Sequence, residues 1–271
     1  MAFNGSDNFP AGTLIEWFQD HGMSFGADTN AHTAFSETVY KLDLPNRDEK
    51  TLREGMLVMS DFAKGMTISD NEVQSEKGVI DGEQRERDSA GYRVLVQGLE
   101  RQYKGTLLAK RLPIGTKPVR DAFTGESVRE FYTKWYRPEN MTMVIVGDLR
   151  GYNPEDLIAE FFEGFTGPGT PVANEPAMGK PKQDDLTFLV SDAEIPSLQL
   201  TIANLKPYVH QKDTVAQRSN DIALMVAHSM LGQRFSEAVK LPETKYLSAS
   251  VRTAGGMKVF EGGDLDRKSV V

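Results

Sequence analysis

The sequence predicts an α+β fold, and three observations carry that prediction. Residues 37–44 alternate apolar and polar side chains, the period of a strand with one buried face. Residues 48–64, 126–136 and 214–231 instead repeat apolar side chains at helical spacing. Between 166 and 182 the chain is dense in Gly, Pro and small residues with no period, which reads as a linker between a first domain, 1–165, and a second, 183–271.

Taken in order, Thr13-Leu-Ile-Glu16 has the form of a capping box, Leu14, Trp17 and Phe18 make an apolar stripe, and Gly22 supplies a stop, so 13–21 is expected to be a short helix. The segments 23–27 and 30–34 read as strands or a hairpin leading into the strand at 37–44, in which Tyr40, Leu42 and Leu44 share a face and Pro45 ends the run. Leu52, Met56, Met59, Phe62 and Ala63 define the next helix. A second capping box, Ser69-Asp-Asn-Glu72, opens a long helical stretch to about Tyr103. Gly78, Gly82, Gly91 and Gly98 lie inside it, and each costs roughly 1 kcal/mol against Ala, so a break is expected. After the helix at 126–136, the run Asn140–Asp148 reads as a buried strand, and Pro154 opens a helix to about Phe162. Beyond the linker, 186–190 and 197–202 read as strands and 214–231 as an amphipathic helix.

Composition narrows the function. The 271 residues carry a formal charge of −8, which disfavours nucleic acid and anionic membrane surfaces. There is no cysteine, so thiol catalysis, disulfides and Cys-based zinc sites are excluded. No apolar run reaches the ~18 residues of a membrane span, and no secretory signal opens the sequence.

Four histidines are present, His21, His32, His210 and His228, and no two share metal-binding helical spacing. Glu76 and Glu83 are seven residues apart on the predicted helix, two turns, so both carboxylates leave one face, with Val79 and Ile80 near enough to bury them in part. Such a pair can give one metal ligand and one carboxylate that orients another ligand. It can equally be a solvated charged face beside Glu72, Lys77, Asp81, Glu86, Arg87 and Asp88, and on spacing alone that is the better reading.

Several segments resemble the insulinase/pitrilysin family of zinc metallopeptidases, above all its bacterial periplasmic-type members: Met1-Ala-Phe-Asn-Gly-Ser-Asp-Asn-Phe-Pro10, Phe25-Gly-Ala-Asp-Thr-Asn-Ala31, residues 37–45, Glu76-Lys-Gly-Val-Ile-Asp-Gly-Glu83 and residues 135–148. The resemblance implies a layered sheet-and-helix domain of the insulinase/mitochondrial-processing-peptidase type, followed by the start of a second similar domain. It implies a zinc cofactor, with Glu83 as a metal ligand and Glu76 as its helper carboxylate, and it makes Asn30 and Ala31 the edge strand that pairs with substrate backbone. The family's inverted motif, His-x-x-Glu-His, supplies two histidine ligands and the base glutamate. It would end immediately before Met1, and this chain has no counterpart of it. One departure is Gly82, where relatives often have Glu.

The expectation is therefore a piece of a zinc metalloendopeptidase acting on peptides or unfolded polypeptides, itself inactive, cut at both ends, with a closing Asp266–Val271 that does not resemble the family. A homo-oligomer or pairing with a second peptidase-like subunit fits the same resemblance, as does an extracytoplasmic location. The alternative is a non-catalytic scaffold or partner subunit of the same fold.

Overall fold

The computed structural model describes residues 1–170, 178–179, 186–256 and 260–270. Most of the expected linker lies outside them. The described residues gather into two compact units, Met1–Arg85 with Pro113–Pro176, and Glu86–Leu112 with Ala177–Val271.

The first unit opens with the Met1–Pro10 loop and α1 (Thr13–Asp20). Ala2, Leu14, Phe18, Met23, Val58 and Phe62 form its core, with Phe3, Trp17, Tyr40 and Leu42 packed against them. The capping box expected at Thr13 is not formed: Gly12 caps the helix in a left-handed conformation, and the Thr13 hydroxyl donates to Pro10 O. Gly22 does end the helix, at φ 69°, with its N–H on Gln19 O and the Met23 N–H on Phe18 O. The hairpin β1 (Thr29–Thr33) and β2 (Thr38–Leu42) is antiparallel, pairing Ala31 with Tyr40. Residues 23–27 contribute only a bridge from Phe25 to Thr29. The Tyr40 ring stacks on Phe62 at 5.0 Å, fastening the hairpin to α2 (Glu49–Lys64).

The long helical stretch is two helices, α3 (Asp70–Arg87) and α4 (Ala90–Gln102). The break falls at Asp88-Ser89 and not at a glycine. Ser89 is extended, and its hydroxyl takes the Tyr92 N–H at 3.2 Å, so a new helix N-terminus outcompetes continuation. At the start of α3, Ser69 Oγ accepts the Glu72 N–H, but Glu72 Oε2 is buried without a hydrogen-bond partner, so only half of the second capping box exists. α4 belongs to the second unit, while the short α5 (Lys117–Asp121), then α6 (Gly125–Trp135) and α7 (Pro154–Phe161), complete the first. Thr124 and Ser127 cap α6 reciprocally, and Ser60 Oγ donates to Phe161 O at 2.7 Å between α2 and α7.

The buried strand expected at Asn140–Asp148 is absent. A short helical turn occupies Pro138–Asn140, and no described strand lies beside the apolar residues that follow, leaving Val144 77% and Val146 89% exposed.

In the second unit, β3 (Ser197–Pro207) confirms and extends the strand expected at 197–202. The unit continues with α8 (Val215–Ala238), β4 (Ser248–Gly256) and β5 (Phe260–Val270). The antiparallel sheet has the order β3-β5-β4. Residues 186–190 are not a strand: Arg101 donates to Leu189 O, and Arg93 grips Asp192 and Glu194, so side chains of α4 fix this segment instead of a ladder. The Thr214 hydroxyl caps α8, but Val215, Ile222, Met225, Val226 and Met230 are all exposed, so the apolar face has no cover among the described residues. No helix of the described residues is long and apolar enough to cross a membrane.

Candidate active site

Glu76 lies in the middle of α3, half-buried, with its carboxylate turned to the N-terminal loop. Oε1 accepts from the Met1 amine and from Asn4 Nδ2, each at 2.9 Å. The loop itself is fixed from α2. The buried Asp61 accepts from Ser6 Oγ at 2.5 Å and from Asn8 N and Nδ2 at 2.9 and 2.7 Å. Glu83 is on the same face, roughly 10 Å further along the axis, and is exposed. Burial by Val79 fails, since that side chain is 62% exposed. The two carboxylates therefore differ in burial: Glu76 is half-buried and engaged with the Met1–Pro10 loop, and Glu83 is exposed.

The second feature is the outer edge of β1. Ala34 N donates to Glu37 O, and Asp43 N to Asp28 O, at the two ends of the hairpin. Alternation between these bonded pairs makes Asn30 and His32 face β2 with their peptide groups, and turns those of Ala31 and Thr33 outward. The Ala31 N–H is covered by its neighbour, Asn30 Oδ1, at 2.8 Å. The edge is otherwise the kind of strand border that takes an added strand.

The four histidines have separate settings. His21 stacks on Trp17 and meets Glu54 at 3.3 Å, His32 is exposed on β1, His210 bonds the Tyr208 hydroxyl, and His228 lies on α8. Zinc takes about three protein ligands or more. Among the described residues no group of three His, Asp or Glu side chains could hold a metal ion. The described residues therefore do not make a complete zinc site.

One contributor is invisible in the sequence. Arg120, 2% exposed, reaches from α5 to Asp81 and Gln84 on α3. The Asp81 carboxyl is held below its usual range, chiefly by the Arg120 hydrogen bonds.

Residues 1–111 match the model for insulinase, peptidase family M16, and residues 122–262 match that for the peptidase M16 inactive domain. The chain belongs to this peptidase family. Among curated relatives of the M16 family, it is 28% identical over 260 residues to the probable zinc protease PqqL of Escherichia coli K12, covering 96% of this chain and 27% of that protein. To the probable zinc protease PqqL of Haemophilus influenzae it is 35% identical over 149 residues, covering 55% of this chain and 16% of the relative. The crystal structure of the periplasmic protease PqqL from Escherichia coli superimposes with a TM-score of 0.84 at 25% identity, over 99% of this chain and 30% of that one. The chain thus spans under a third of the length of these M16 relatives, and its fold is theirs.

Proposed function

We propose that the first unit is part of the peptide-cleaving centre of a zinc metalloendopeptidase, with Glu83 as a metal ligand, Glu76 as its helper carboxylate, and the β1 edge at Asn30 and Ala31 as the strand that receives substrate backbone. The observation that carries this reading is the Glu76 carboxylate bonded to Asn4, inside the segment that matches the insulinase family model. It is supported by an outward Ala31 peptide on the same family-matched segment. Backbone pairing at a sheet edge gives affinity with little demand on side chains, which suits peptides and unfolded polypeptides as substrates. The likeness to a periplasmic protease supports an extracytoplasmic location.

The chain alone holds zinc weakly and cleaves nothing, because α3 supplies only part of the ligand set. The test is zinc retention after placing a segment bearing His-x-x-Glu-His directly before Met1. Glu83→Gln is expected to abolish retention and Glu76→Gln to weaken it. Since Glu76 is the carboxylate engaged beside Met1, the opposite order would exchange the two roles, and retention by both variants would remove α3 from the site. The second reading, a non-catalytic subunit of the same fold, draws on the match of residues 122–262 to a domain described as inactive.

A further inference from the structure

We propose that Arg120 is a positioning residue that sets the rotation of α3 about its axis, and so aims Glu76 at Asn4. The proposal rests on the reading above that α3 carries site carboxylates, and it concerns how they are presented.

The helix is gripped along one stripe. Asp70 Oδ1 accepts the Gly125 N–H at 2.7 Å, in the first turn of α6, where a carboxylate also meets the positive end of that helix. Lys77 Nζ donates to Asp121 O at 2.9 Å. Asp81 Oδ1 accepts from Arg120 Nε at 3.2 Å and Nη2 at 2.9 Å, while Lys117 Nζ stands 3.5 Å from Oδ2. Gln84 Oε1 accepts from Arg120 Nη2. At 3.6 residues per turn, positions 70, 77, 81 and 84 fall within about 60° of one another, and positions 76 and 83 lie on a second stripe about 120° further round. Holding the first stripe therefore fixes where the second one points.

Arg120 is the member of this grip that cannot yield. Its Nη1 donates to Ile114 O and Gly115 O, both at 3.1 Å, so the planar guanidinium is fastened to the loop on one side and to α3 on the other. Turning α3 would strip a buried cation of partners, which is costly. A lysine at 120 could keep Asp81, but one ammonium cannot also span Gln84 and two carbonyls in a fixed plane.

The test measures the aim of Glu76 without metal or peptide, so its outcome is independent of the peptidase reading. Trp17 and Trp135 are the chain's two tryptophans and both lie in the first unit, so their fluorescence in urea follows that unit. A double-mutant cycle with Asn4→Ala and Glu76→Ala is run in the parent chain, in Arg120→Met and in Arg120→Lys. The expected coupling is about fivefold in the unfolding constant in the parent, and under twofold in both Arg120 backgrounds. Leu157→Ala, a buried α7 residue remote from α3 in sequence, serves as a destabilised control and keeps the full coupling. Full coupling in either Arg120 variant, coupling lost equally in Leu157→Ala, or no coupling in the parent would each overturn the proposal. If Arg120→Met does not fold, Arg120→Lys carries the same comparison.

Discussion

Asp61 and Asp192 show what single carboxylates do here. Asp61 satisfies three donors of the Ser6–Asn8 loop from a buried position on α2. Asp61→Ala leaves those donors unmet and is expected to cost roughly 2–4 kcal/mol, read from the tryptophan urea transition. Asp192 behaves differently. Hydrogen bonds from Arg93, then the Glu194 N–H, bring its carboxyl down to about 2. A depressed folded value means that its stabilisation is present above the unfolded value of about 4 and is lost as pH falls towards 2. Arg93→Met is therefore expected to lower the urea midpoint at pH 5, followed by circular dichroism, and to narrow the difference between pH 5 and pH 3. The Glu76–Glu83 spacing was legible in the sequence, because both residues share one helix. Asp61 and the grip of Arg120 on α3 were not, because the side-chain partners of Asp61 lie more than fifty residues away and the α3 partners of Arg120 more than thirty, and nothing local marks either pairing.

Among the elements, helices with their own caps and stripes were read well. Residues 48–64 and 154–162 were predicted to within a residue or two at each end, since apolar period and Asn153-Pro154 chemistry act locally. Strand prediction failed at 140–148 and 186–190, where an apolar run becomes a strand only when another strand lies alongside, and none of the described strands does. The break between α3 and α4 hinges on Ser89, so Ser89→Ala is expected to cost about 1 kcal/mol, checked by the urea transition. The β1 edge carries its own prediction. Ala31→Pro removes an N–H that the hairpin does not use, so the protein stays folded, while binding of a labelled unstructured peptide, followed by anisotropy, weakens at least tenfold.

Among the described residues, apolar side chains stand uncovered at Val144 and Val146 in the first unit and along α8 in the second. Exposed apolar area of this kind promotes association, so the isolated chain is expected to bind a hydrophobic dye strongly and to self-associate as rising salt screens its net charge of −8. The likeness to PqqL spans 99% of the chain and 30% of that protein. The most direct test is cleavage of a quenched fluorogenic peptide in zinc buffer by the 271-residue chain, by the same chain preceded by a His-x-x-Glu-His segment, and by its Glu83→Gln variant. The account predicts cleavage only by the extended parent. Cleavage by the chain alone, or by the extended Glu83→Gln variant at the parent's rate, would contradict it.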